Sequence, residues 1–179
     1  MNPTDDKKPR GDASRPGPAM LAWSERADEH REAAHFFARV ISADPAYISH
    51  GEVQTGLSLD GMTWAPDLEA RLLEDMTDMG DDRSLALARD EQDRIVAAAI
   101  LYWETTPRVS FGILEDMAVD PGQRSAGLGA RLSAFIDDEA RRRGCRWMFL
   151  ESGNNNTRAH AFFERDGYRE ISHTFVKAL

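Results

Sequence analysis

Apolar and polar positions along the chain separate helical from extended stretches. Residues 1–18, MNPTDDKKPRGDASRPGP, show no period and are rich in Pro, Gly and charge. Such a segment cannot bury enough surface to offset its ordering entropy, so a flexible tail is expected over 1–18 and one domain over 19–179. Met20–Trp23 reads as a short strand. From Asp28 to Ile41, the residues Ala33, Phe36, Phe37, Val40 and Ile41 fall at helical spacing. Asp44-Pro45 ends that helix. Tyr47–Ala65, broken by Gly51, Gly56 and Gly61, has no clear period. Pro66–Met79 predicts a second helix with Pro in its first turn and an acidic outer face. Ser84–Arg89 and Arg94–Glu104 flank a turn at Glu91–Asp93 and read as a hairpin, with 108–119 as a third strand. A helix over Ala126–Arg143 presents Leu128, Leu132, Phe135, Ile136 and Ala140 on one face, and Gly144 closes it. Trp147–Leu150 then reads as a strand and Thr157–Asp166 as a short helix. Tyr168–Ile171 and His173–Val176 are expected to close the sheet. This order predicts a mixed α/β (α+β) domain, with a mostly antiparallel sheet and about four helices.

The chemistry concentrates at residues 108–132, RVSFGILEDMAVDPGQRSAGLGARL. A strand runs into the turn signal Asp120-Pro121-Gly122, then into Arg124-Ser-Ala-Gly127-Leu-Gly129, and a helix starts behind it. Strand, glycine turn and helix N-terminus together suit an anion. Glycines let the backbone approach, and first-turn N–H groups point at the ligand. The same two glycines also suit a plain tight turn. A dinucleotide fingerprint is excluded, since position 132 is leucine and no βαβ run precedes the motif.

Composition narrows the partners. The chain has 179 residues and a formal net charge of −9, which disfavours nucleic acid and favours cationic small molecules or basic peptides. The lone cysteine, Cys145, permits no internal disulfide and opens an apolar strand, so it reads as core. The sequence has neither an apolar run of about 18 residues nor a signal-peptide core, so no membrane partner and a cytoplasmic location are expected. The five histidines have no metal spacing, so no metal is expected.

LEDMAVDPGQRSAGLGARL resembles the acyl-CoA-binding core of the GNAT superfamily of N-acetyltransferases. NTRAHAFFERDGY, residues 156–168, is similar to that family's second block, in the right order and at the right separation. The resemblance covers about residues 108–170. It implies a splayed strand pair and acetyl-CoA as co-substrate. Pyrophosphate would lie on the N–H groups of Ser125, Ala126, Gly127, Leu128, Gly129 and Ala130, with Arg124 adding charge. Pantetheine would pair with the backbone of Met117 and Val119, and an N–H near Met117–Ala118 would polarise the thioester carbonyl. Asn156 would hydrogen-bond the cofactor. It also reads as a plain helix cap.

Transfer to an amine requires a base, because a free alkylamine is protonated at neutral pH. Glu115 and Asp116 are the candidates. Neighbours on a strand face opposite ways, so strict alternation puts only Glu115 with Phe111, Ile113, Met117 and Val119, unless a bulge intervenes. Family members acting on polyamines and amino-sugar phosphates carry a similar pair. Many members also place a tyrosine at position 163 as acid for the leaving thiolate, and Phe163 cannot serve. Trp64, bordering the acceptor pocket by resemblance, and His173, on the last expected strand, are candidate substrate contacts. His50 and His160 are weaker ones, and Arg141–Arg143 reads as a solvated helix end. The expectation is acetyl transfer from acetyl-CoA to a small primary amine by direct attack. A non-catalytic acyl-CoA sensor and a protein lysine or N-terminal acetyltransferase remain open. A homodimer is expected only from the resemblance.

Overall fold

A computed structural model describes residues 19–77, 79–124, 126–177 and 179, so the expected N-terminal tail lies outside the described residues. In chain order the elements are β1 (Met20–Ser24), α1 (Ala27–Ile41), a 3-10 turn (Pro45–Tyr47), α2 (His50–Gln54), α3 (Leu68–Thr77), β2 (Arg83–Arg89), β3 (Ile95–Thr105), β4 (Ser110–Val119), a second 3-10 turn (Pro121–Gln123), α4 (Leu128–Arg142), β5 (Trp147–Leu150) and α5 (Thr157–Arg165). β1 to β4 form an antiparallel meander. β5 joins parallel to β4, giving the order β1-β2-β3-β4-β5. A parallel neighbour needs a crossover, and α4 supplies it.

Side-chain alternation divides the core into two layers. Leu85 and Leu87 of β2 pack with Phe37 of α1 and Met76 of α3. Ala86 and Ala88 go to the other face, with Leu132 and Ile136 of α4. β3 lies under both layers, so its run Ile95–Leu101 is buried throughout and shows no alternation. Leu132 is fully buried; truncating it to alanine costs about 2–5 kcal/mol by transfer and cavity terms.

Four differences from the sequence reading have physical causes. α4 starts at Leu128, because Gly127 sits at φ 79, in the left-handed region outside a right-handed helix. The aperiodic segment holds α2, begun by a capping box between Ser49 and Glu52, and a bridge between Ser58 and Trp64. The described residues therefore contain five α-helices, α2 being the additional one. Residues 168–177 form no strand. The Tyr168 N–H closes α5 on the Phe163 carbonyl at 3.0 Å, and the later described residues make no backbone hydrogen bond to the body. A period-2 pattern prepares one face of a strand; it does not supply the neighbour that completes a ladder.

Candidate active site

β4 and β5 pair only from Phe111↔Trp147 to Leu114↔Leu150, while β4 runs on to Val119. Beyond Leu150 the chain is drawn towards the α1–α2 connection. The Glu151 carboxylate accepts hydrogen bonds from Ser49 Oγ at 2.5 Å and the Gly51 N–H at 2.9 Å, and it pairs with His50 Nδ1 at 2.5 Å. Two residues on, a Cβ at Gly153 would stand 2.4 Å from the carbonyl oxygens of Ala46 and Ile48, so only glycine permits that approach. The strands part, and a cavity of about 610 Å³ opens between them.

One end of the cavity is built from backbone. Asp120 fixes the turn after β4: its side chain accepts the Gly122 N–H at 2.8 Å and pairs with Arg39 of α1 at 2.9 Å. Gly127 caps α4 with no side-chain hydrogen bond, and the first turn of α4 carries no acidic residue. Among the described residues, the N–H groups of Ala126, Gly127, Leu128, Gly129 and Ala130 find no protein acceptor. A bare helix start of this kind favours an anion. Arg124 and Arg158 line the same cavity, as do Gly127, Gly129 and Ala130. Gly129 has a packing role as well, since a Cβ there would lie 3.4 Å from the Phe162 ring of α5. Asn156 caps α5, its Oδ1 accepting the Ala159 N–H at 3.2 Å, and it also lines the cavity.

The wall between the ends is β4 itself. The Asp120 N–H bonds to the Val96 carbonyl of β3. Alternation along an antiparallel ladder then turns the backbone groups of Ala118 towards β3 and those of Met117 and Val119 towards the cavity. Met117 and Val119 line it, whereas Ala118 is buried against Ala98, Ile100 and α1.

The other end is built from carboxylates. Ile100 pairs with Asp116 and Leu101 with Leu114, so Glu115 is an extra residue. This bulge breaks the strict alternation expected from the sequence. Leu114 faces the α4 layer, Asp116 lies on the face of its partner Ile100, and Glu115 reaches Arg83 on that same face at 2.7 Å. Both carboxylates line the cavity, joined by Glu52 of α2. Burial pushes the Asp116 carboxyl up to about 8; the negative charges of Glu52 and Glu115 add to the rise and Arg83 opposes it.

The remaining candidates scatter. Phe163 lines the cavity, edge-on to Phe162 and to Tyr168. Burial, with the charges of Asp137 and Asp166, pushes the Tyr168 hydroxyl up to about 12, and Tyr168 is not part of the cavity lining. Trp64 packs against the α1–α3 layer, away from the lining. His173 is exposed on the C-terminal segment beside Glu170, at 3.1 Å. Ser125 lies outside the described residues. Cys145 packs partly buried beside the α4 layer. Among the described residues, no cluster of side chains is placed to hold a metal ion and no helix is long and apolar enough to cross a membrane. Glu52 and Arg158 escaped the sequence reading. The one signal for Glu52 was its place in the capping box Ser49-x-x-Glu52, which marks a helix start and no chemistry.

The chain is similar to several known proteins. Aminoalkylphosphonate N-acetyltransferase of Salmonella typhimurium is 32% identical over 68 residues, 38% of this chain and 44% of that protein, so the chain spans less than half of that relative. Glucosamine 6-phosphate N-acetyltransferase of Trypanosoma brucei brucei is 27% identical over 137 residues, 73% of this chain and 91% of that protein. Ribosomal-protein-alanine N-acetyltransferase from Brucella melitensis biovar Abortus shares the fold, with a TM-score of 0.64 at 13% identity, over 90% of this chain and 99% of the other. The Acetyltransferase (GNAT) family matches residues 53–168, which include the parted strands, the amide turn and the carboxylate bulge, and the chain belongs to that family.

Proposed function

We propose that this protein moves an acetyl group from acetyl-CoA to the primary amine of a small cationic acceptor by direct attack. The observation that carries this reading is the bulge at Glu115. It directs two carboxylates into the cavity whose opposite end offers bare amides and arginines. A diphosphate suits the amide end, because bare N–H groups and the Arg124 guanidinium, which also donates to the Tyr47 hydroxyl, supply hydrogen bonds and charge there. Acetyl-CoA would supply an activated acyl carbon with a good leaving thiolate. Asp116 takes the proton from the acceptor ammonium, and its elevated pKa matches a base working near neutrality. The Met117 N–H is the donor for the thioester oxygen. Glu115 is held by Arg83 and sets the field around Asp116.

The acidic end also selects the acceptor. Glu52 and Glu115 place negative charge beside Asp116 and attract a cationic amine. A second cationic group on the acceptor is expected to favour binding over the phosphate of the Trypanosoma relative's named substrate. A thiol-release assay with acetyl-CoA tests this against polyamines, aminoglycosides, amino acids, a lysine peptide and glucosamine 6-phosphate. Turnover of a di- or polycationic amine at least about tenfold above glucosamine 6-phosphate is expected; the reverse order sinks the acceptor assignment. Phe163 favours one second reading, an acyl-CoA-binding module without turnover, since neither Phe163 nor the outlying Tyr168 donates a proton into the cavity. Turnover of any amine removes it.

A further inference from the structure

Glu151 lines the cavity, yet its oxygens are turned onto another element. Oε1 accepts from Ser49 Oγ at 2.5 Å and from the Gly51 N–H at 2.9 Å, and Oε2 pairs with His50 Nδ1 at 2.5 Å. One carboxylate at the exit of β5 thus clasps three consecutive residues where α2 begins. Three partners fill most of the roughly four lone-pair sites of a carboxylate, which leaves Glu151 poorly placed to take a proton from an acceptor.

α2 has no apolar face to dock it, since none of its residues is buried. Ile48 before it and Leu57 after it are buried, so the ends of the connection are pinned while the helix between them is not. The far end has its own ties: the Ser58 N–H bonds to the Glu52 carbonyl at 2.8 Å, and Arg71 donates to the Gly56 carbonyl at 2.7 Å. A helix this short does not hold by itself, so its first turn takes its direction from Glu151. That turn carries Glu52, whose carboxylate accepts the Ser49 N–H at 2.6 Å and lines the cavity with Asp116. The charges felt by Asp116 come from Glu52 of α2, Glu115 of β4, Arg83 of β2 and Asp75 of α3. Glu151 is not among these; its influence runs through the placement of α2.

We propose that Glu151 is a positioning residue for the transfer: by clasping Ser49, His50 and Gly51 it holds Glu52 over Asp116, and so sets both the charge around the base and the pull on a cationic acceptor. The inference rests on the transferase reading with Asp116 as base. Glutamine at 151 keeps an oxygen for Ser49 and Gly51, whereas alanine removes the clasp.

Carbon-13 NMR titration of the Asp116 carboxyl in the full chain tests the placement without turnover. Glu151→Ala should lower the midpoint from about 8 by about 0.5–1 unit, and Glu151→Gln should leave it in place. Hydrogen exchange should show the amides of residues 51–54 losing at least about tenfold of their protection in the alanine variant only. In thiol release from acetyl-CoA with spermidine as acceptor, alanine should raise KM at least about fivefold with kcat within about threefold, and glutamine should restore both. An unmoved midpoint in Glu151→Ala overturns the proposal, as does a glutamine variant that shifts the midpoint as far as alanine. So does a loss of kcat of about 100-fold or more in Glu151→Gln, which would make Glu151 itself the base. If Glu151→Ala does not fold, Ser49→Ala takes away one donor of the clasp and should move the midpoint the same way by a smaller step; no movement there is equally fatal. A parent chain that turns over no amine removes the transferase reading, and the titration still decides whether Glu151 places Glu52.

Discussion

The two ends of the cavity handle charge with different materials. At the start of α4 the groups on offer are main-chain N–H groups, set out by the helix and by the left-handed Gly127. At the bulge they are side-chain carboxylates, crowded together so that Asp116 resists ionisation. A backbone site depends on conformation and tolerates many side chains. A carboxylate site depends on which charges are neighbours, so single substitutions retune it.

Breaking the carboxylate end has the largest expected effect. Asp116→Asn should lower kcat by about 10²–10⁴-fold, the usual contribution of a positioned base, while leaving the dissociation constant for CoA near its original value. The same variant should be more stable at pH 7. In the fold Asp116 keeps its proton to about 8, whereas an unfolded chain releases it near 3.8. Between those values the unfolded form binds fewer protons, so stability falls as pH rises, and asparagine removes that loss. Thermal melts of both proteins at pH 4 and pH 8 check the sign: the gap between them should widen at the higher pH.

Breaking the amide end comes next. Gly127→Glu sets a negative charge on the anion site and forces a side chain into the left-handed region. CoA affinity should fall by at least about 100-fold, with acceptor chemistry untouched by direct contact. Calorimetric titration with CoA measures it, and retained affinity would remove the diphosphate from this turn.

Two smaller effects separate the ends by pH. For the unaltered protein, kcat/KM should rise about tenfold per pH unit below 8 and level off above it, because the base works unprotonated. Glu52→Gln removes the like charge nearest in effect to Asp116, so the inflection should move to lower pH by about 0.5–1 unit. An unmoved inflection would mean that Asp116 is not the titrating base. Phe163→Tyr should change the rate least, keeping it or raising it by up to about threefold. A large loss would show that the phenyl ring holds the cavity open and that no acid is missing from this wall.

Legibility in the sequence tracked the range of each interaction. The α1 face from Ala33 to Ile41, the β2–β3 hairpin and the crossover through α4 were readable, because their periods and turns are local. The helix start after Arg124 was readable for the same reason, since helix starts are local properties, whereas Met117 and Val119 were named only through the resemblance to the GNAT core. Glu52 could not be seen. Its partner Asp116 is 64 residues away, and only the docking of Ser49, Gly51 and His50 on Glu151 brings α2 over the bulge.

Local pattern alone thus determined an α/β domain, a glycine turn with a helix start at residues 124–130 and a carboxylate pair beside it. Tertiary structure decided the rest. The bulge arises from a register offset between β3 and β4, which puts Glu115 and Asp116 on one side; the rise in the Asp116 pKa comes from burial and from charges contributed by other elements. Where the last apolar positions of the chain pair is likewise a matter of neighbours. A sequence encodes which face of a strand is apolar, but the distances that set charge coupling and strand partnership exist only after folding.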